Sequence, residues 1–499
     1  MMDYPAILSL VIWLPFVVAI GFLITPVKHA YVRYIALVVT VIDAILASLL
    51  FFNIDKEMPL GAFQWVDRVT WIDSALLKSQ YLVGLDGLSA PLVLLTTVLG
   101  VCAVIASWHI NIRVKEYFIW LLVLQTAILG VFTSLDLLLF FLFWELELIP
   151  MYMLISGWGS GRKEYSSMKF LIFTILGSAF IIIGILMTFI TSDPNTLDMT
   201  MLILNSGGNL IQLGFYGATF VYFCFFIGFA IKLPVWPIHT WLPDAHTDAP
   251  TAASVILAGV MLKMGGYGLL RINVTMFPLQ TVAYSYFIIV LGVISVLYGA
   301  FMTLKQTDLK RLIAYSSVSH MGLVLVGIGS FTSAGLTGAG MQLFTHGTIT
   351  GLLFLCVGLV YDKAHTRSIP DLGGLFIRMP LVAVAFTIAG LASLGLPALS
   401  GFVSEILVFT GAFSGFPILT ILAVLGIILA AGYILWMLER VLFGEVKPKV
   451  EHVTDATLIE AFPLVLLVIM IIALGVFPGI LIDVLDQAIL PVVTKFGGV

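Results

Sequence analysis

The run GFAIKLPVWPIHTWLPDAH, residues 228–246, puts a lysine, Lys232, inside an apolar segment and follows it with Pro234 and Pro237. Each feature is costly in a membrane helix. The charge must leave water, and each proline removes a backbone hydrogen bond. Together they predict a broken helix around an ionisable group. Lipid does not tolerate such a break, but a protein-lined or hydrated interior does.

The rest of the chain supplies that setting. Its 499 residues are 61% hydrophobic and 10% charged, with a mean hydropathy of +1.14. A soluble domain is about one quarter charged. The composition predicts an all-α integral membrane protein. Crossing the hydrocarbon takes roughly 20 apolar residues. Fourteen such runs occur, near 5–25, 34–54, 84–107, 117–134, 136–157, 169–191, 216–235, 251–271, 281–302, 311–330, 335–360, 380–412, 416–437 and 458–482. The breaks at 55–83 and 192–215 read as loops, which leaves no soluble domain. The first run is too long for a signal-peptide core and lacks a basic stretch before it, so it reads as a true helix.

Charge gives the direction. Loops after odd-numbered spans hold sixteen of the 23 Lys and Arg, among them Lys28, Arg162, Arg311 and Lys449, and loops after even-numbered spans hold four. The positive-inside rule puts the odd loops in the cytoplasm. The expectation is a multi-pass protein of the cell (inner or plasma) membrane with both termini on the extracytoplasmic side.

Leu233–Pro234 in span 7 has a counterpart, Leu396–Pro397 in span 12, 163 residues later. Two proline kinks alone would be ordinary, but spans 4 and 9 start with nearly the same offset. Two five-helix repeats follow, spans 4–8 and 9–13, with spans 7 and 12 broken. Five is odd, so the second copy must be inverted, as in transporters whose polar path lies at the midplane. The chain then divides into 1–116 (spans 1–3), 117–271 (first repeat), 272–437 (second repeat) and 438–499 (C-terminal loop and span 14).

Six ionisable side chains fall well inside predicted spans: Glu145, Lys232, Lys263, His320, His346 and Glu405. A charge at a helix centre costs at least about 2.5–3.5 kcal/mol, and such groups mark ion pathways. One histidine alone would read as glue between helices; six predict a proton or cation path. Ser316 and Ser317 lie about one turn from His320, Gln342 and Thr350 do so around His346, and Ser404 adjoins Glu405. These groups can hold water. A buried lysine beside a carboxylate is a switchable proton site, because burial and the carboxylate act on it in opposite directions. Glu145 is the expected neighbour of Lys232. Glu147, two residues on, points to a nearly opposite face and is expected at a partner subunit or the membrane edge, with no pathway role. Asp43 and Asp136 read as structural or interfacial. Asp244, His246 and Asp248 look like an HxD metal cluster, but their place between two helices favours capping and turn roles.

Cys102, Cys224 and Cys356 stand alone in apolar runs and form no metal spacing. They read as small buried apolar residues. No GxGxxG or Walker motif follows a strand-like run. The sequence therefore predicts no cofactor and no metal in this chain, and nothing points to nucleic acid.

FWELELIPMY, FAIKLPVWPIHTWLPDAHTDAPTAASVILAGVMLKMGGYGLLR, QTDLKRLIAYSSVSHMG and GLPALSGFVSE together resemble the antiporter-like subunit M (chain 4) family of respiratory complex I, the NADH–quinone oxidoreductase. The resemblance covers nearly the whole chain, and its motifs are long. It implies a proton-pumping module of a larger translocase, with the electron carriers in other subunits. The partners it implies are other membrane subunits of a complex I-type assembly, the lipid bilayer and protons. The donor is NADH or a related reductant. The family's pathway residues fall on Glu145, Lys232, Lys263, His320, His346 and Glu405. An Mrp-type cation/proton antiporter subunit is the alternative, and neighbouring genes would separate the two.

Overall fold

The computed structural model describes residues 6–26, 28–56, 58, 61–74, 77–204 and 213–496. Both chain ends and parts of the 55–83 and 192–215 breaks lie outside these residues. Among the described residues, thirteen helices are long and apolar enough to cross a membrane. The run 380–412 resolves into two shorter apolar helices, Pro380–Ser393 and Ser400–Phe413. Each of the fourteen apolar runs is therefore helical, and the expected break in the twelfth is present.

Burial sorts the helices into a centre and a rim. Helices α1 (Ile7–Ile24), α2 (His29–Phe52), α3 (Ser89–Ala106), α4 (Val114–Thr133), α5 (Leu137–Trp158), α6 (Lys163–Thr191) and α7 (Gly214–Lys232) run up to the first break. A short helix, α8 (Trp241–Asp248), then leads into α9 (Thr251–Val274). The second half holds α10 (Ser285–Leu304), α11 (Leu309–Ser330), α12 (Ser333–Ala364), α13 (Pro380–Ser393), α14 (Ser400–Phe413), α15 (Pro417–Leu442) and α16 (Leu458–Val476). α3, α9, α11 and α12 are buried almost throughout, whereas α1, α2, α6, α15 and α16 bury 28–39% of their apolar windows. A helix apolar on every side needs lipid or protein on every side. The outer helices leave an apolar surface, with Val17, Leu23, Ile172, Ile190, Ile428 and Ile469 exposed. The central four have no such surface, and they carry Lys263, His320 and His346.

Among the described residues, a search for long apolar runs passes over a β-hairpin and a last helix. Strands β1 (Gln64–Asp73) and β2 (Lys78–Leu85) pair antiparallel inside the expected 55–83 loop. A lone hairpin is marginally stable. This one is anchored: Asp67 accepts from Ser9 Oγ at 2.6 Å on α1, and Val83 bridges to Ser134. After Pro478 a last helix, α17 (Gly479–Phe496), packs on α12, where Thr337 Oγ1 donates to Asp486 at 2.5 Å. The expected span 458–482 thus ends at Val476 and a separate helix follows.

Candidate functional site: a buried line of ionisable side chains

α7 ends at Lys232, and the break that Pro234 imposes is satisfied piece by piece. The Trp241 indole donates to the Ile231 carbonyl at 2.9 Å, and Ser295 Oγ on α10 accepts from the Trp236 amide at 3.1 Å. Lys232 is 1% exposed, and its ammonium faces the rings of Phe170 and Trp144 at 5.2 and 5.7 Å.

Its ionic partner is Glu147, not Glu145. This corrects the expected pairing, and the cause is the rotation of α5. Phe140, Trp144, Glu147, Met151 and Leu154 form the buried stripe of that helix; Leu142, Ile149 and Met153 form the exposed one. Glu145 falls beside the exposed stripe and is half-buried, with a buried Oε1 that has no partner. Residues two apart on a helix do face nearly opposite ways. Glu147 lies on the buried face and Glu145 beside the exposed one, the reverse of the expectation. Phe140, Trp144 and Glu147 share an i, i+4, i+7 spacing, but Phe141, Glu145 and Leu148 share it too, so the sequence does not distinguish the two faces.

A second group lies at the centre. Lys263 is fully buried in α9, between two π-helical turns, Leu257–Met261 and Leu269–Val274. Such turns widen the helix and recur at functional sites. Its amine donates to the Ala258 carbonyl and is hydrogen-bonded to His346 Nδ1 at 2.8 Å. The His346 ring lies 5.4 Å, centroid to centroid, from His320. His320 Nδ1 is 3.6 Å from Glu405 Oε1, and its Nε2 meets Ser393 Oγ at 3.1 Å. Ser393 ends α13 and Glu405 lies in α14, so the second broken helix holds the far end of the line. Gln342, Thr345 and Ser404 hydrogen-bond beside it. Four of the six expected residues, Lys263, His346, His320 and Glu405, thus form one contiguous series. Lys232 pairs with Glu147 apart from it; among the described residues no hydrogen bond joins that pair to Lys263. Ser316 and Ser317 spend their hydroxyls on the Ile313 carbonyl.

The other ionisable groups hold the frame. Asp244 binds Lys169 at 2.7 Å and Arg311 at 3.5 Å, and Asp248 accepts from Ser166 at 2.6 Å. They tie helices together and cap none, contrary to expectation. Asp136 caps α5 and also binds Ser79 at 3.0 Å. Asp43 accepts from Gln125 at 2.7 Å. The three cysteines are free and buried.

A family described as NADH:quinone oxidoreductase/Mrp antiporter, TM, matches residues 134–430, the stretch that holds both broken helices and all six expected residues. The chain belongs to this family. Subunit M of the NADH-quinone oxidoreductase of Rhodobacter capsulatus is 38% identical over 98% of this chain and 97% of its own. A chain 4 of the NAD(P)H-quinone oxidoreductase of a Synechococcus strain is 41% identical over 92% of this chain and 86% of its own. A chain of respiratory complex I from Thermus thermophilus superposes with a TM-score of 0.88 at 28% identity, over 98% of this chain and 100% of that one. A chain of the Mrp complex from a Dietzia species shares the fold, with a TM-score of 0.87 at 21% identity over 100% and 99%.

One backbone position ties the second break to Glu405. Gly395 has φ +76°, and a Cβ there would run into Glu405 Oε2. A side chain in that region costs about 1 kcal/mol before any contact is counted. Gly395→Ala is expected to lower the melting temperature of the assembled protein and to weaken proton translocation together. A melting curve and a translocation rate both equal to those of the parent would show that the close approach is not needed.

Proposed function

We propose that this chain is the proton-translocating, antiporter-like membrane subunit of a complex I-type quinone oxidoreductase in the plasma membrane. Electron transfer in other subunits drives proton movement through it. The observation that carries the reading is the series Lys263–His346–His320–Glu405, buried in an apolar core where four ionisable groups have no structural necessity. Protons enter from the cytoplasmic, Lys- and Arg-rich end. The Glu147–Lys232 pair guides them, Lys263 holds them at the junction of two inverted half-channels, and the histidines pass them toward Glu405. Partners are the other membrane subunits, lipid and the protons themselves. The names of relatives at 37–41% identity favour this reading over an Mrp-type cation/proton antiporter subunit, which shares the fold.

The chain has no carrier of electrons of its own under this reading. Purified alone, it should oxidise no NADH and reduce no quinone, while membranes holding the whole assembly do both and acidify. Redox turnover by the isolated chain would overturn the assignment. Acidification that survives deletion of this chain from an otherwise assembled complex would overturn the pumping role.

A further inference from the structure

The contact between Lys263 and His346 depends on how closely α9 and α12 cross. The two helices pack antiparallel: Gly266 lies against Leu343, Gly259 against Gly347 and Gly358 against Thr251. Lys263 and His346 fall between the first two of these pairs, on the same seam. Small residues at a membrane-helix interface let backbones approach closely. One of the three approaches is backbone to backbone, and it adjoins the histidine. A Cβ on Gly347 would lie 2.6 Å from the Gly259 carbonyl oxygen and 2.6 Å from Leu95 Cδ2.

The crossing is packed from its other side too. Leu95 of α3 lies against Gly347, and Leu99 lies against Gly259 and Gly351. Both leucines are fully buried. A carbon and a carbonyl oxygen rest about 3.3–3.6 Å apart, so a methyl on Gly347 would push α12 from α9 by roughly 1 Å. His346 would move with its neighbour Gly347. The Lys263 amine would stay behind, because its other acceptor is the Ala258 carbonyl of α9, in the π turn that also holds Gly259. The hydrogen bond from Lys263 Nζ to His346 Nδ1 now measures 2.8 Å. Lengthened by that much it would reach about 3.6 Å, where a side-chain hydrogen bond no longer exists.

We propose that Gly347 is the positioning residue of the junction: its missing side chain sets the α9–α12 separation at which Lys263 passes a proton to His346. The inference rests on the proton-translocation reading given above. Gly347 carries no proton and acts through the amine and the ring. In the transfer the proton leaves Nζ, whose electron pair stays on the neutral amine, and binds Nδ1. The imidazole then releases the proton of Nε2 on the His320 side. Such a step needs donor and acceptor about 2.6–3.2 Å apart, and the backbone crossing holds that distance.

The test uses the assembled complex in inverted membrane vesicles, with donor-driven acidification, donor oxidation and native gels read together. Gly347→Ala puts a methyl into the crossing. Gly351→Ala puts the same methyl one turn on, where its nearest neighbours are the Leu99 and Leu467 side chains. Gly347→Ala is expected to lower acidification at least about tenfold with assembly intact, since a misplacement of about 1 Å can cost a hundredfold. Gly351→Ala is expected to keep the larger part of it. Equal loss in the two overturns the positioning role. Adding Leu95→Ala to Gly347→Ala relieves the side-chain contact but not the backbone one, and should restore little; full recovery would make the role one of packing against α3 and overturn it. In a density map of the Gly347→Ala complex, Nζ and Nδ1 are expected beyond about 3.5 Å. An unchanged separation beside lost acidification overturns the role. Lys263→Ala is the reference. Parent-level acidification in Gly347→Ala beside a failed Lys263→Ala overturns the positioning role and leaves the functional reading standing, whereas parent-level acidification in both overturns the functional reading. In a map of the unmodified complex, a Gly347 Cα out of van der Waals contact with the Gly259 carbonyl would overturn the role even if no variant assembled.

Discussion

Lys263→Ala is expected to cut donor-driven proton translocation by at least about tenfold while the complex still assembles, because it removes a positioned proton carrier. The amine is hydrogen-bonded to His346 Nδ1 at 2.8 Å, and it begins the series that ends at Glu405. Alanine leaves His346 with no ionisable neighbour on the α9 side. The fold should persist, because among the described residues no carboxylate pairs with Lys263 and none is stranded by its loss. Dye quenching in inverted vesicles gives the translocation rate, and native gels confirm assembly. Full translocation in Lys263→Ala would remove the centre of the line from the mechanism.

The second large effect separates two glutamates that sit two residues apart. Glu147→Gln should abolish most translocation, whereas Glu145→Gln should leave the larger part of it. Glu147 is the buried ionic partner of Lys232, and Glu145 lies half-buried beside the exposed stripe of α5. Removing one member of a buried pair strands the other and costs about 3–5 kcal/mol, so the glutamine variant should also melt earlier. A double variant, Glu147→Gln with Lys232→Met, strands nothing. It should regain much of the stability but none of the translocation. The reverse ranking, with Glu145→Gln the more damaging, would return the pair to Glu145 and place α5 in a different rotation.

The sequence made some of this legible and hid the rest for physical reasons. The spans were legible because hydrocarbon imposes a length on each helix, and the breaks because proline cannot donate a backbone hydrogen bond. The charged residues stood out because their burial is costly wherever they point. Their partners did not. α5 is apolar on nearly every side, so polarity gives no mark of its buried face and none of whether Glu145 or Glu147 meets Lys232. Lys263 and His346 are 83 residues apart, and only the packing of α9 on α12 brings them together. The π turns around Lys263 leave no trace in composition. The hairpin stays hidden because QWVDRVTWID mixes β-branched and aromatic residues with polar and charged ones in a short stretch, which a search for long apolar runs averages away. The sequence places His246 between two helices, and nothing in it announces that the ring is buried against Phe354.

The central claim is that protons are held and released along the buried line, with Lys263 at its junction. The measurement that bears on it most directly is proton translocation by assembled complex carrying Lys263→Arg. Arginine keeps the positive charge at the junction but does not give up its proton in a protein. If release is part of the cycle, translocation should fall about as far as in the alanine variant, at least tenfold, with assembly confirmed in the same membranes. Translocation at the parent rate would show that Lys263 needs only its charge, and would contradict a path in which its proton moves on to His346.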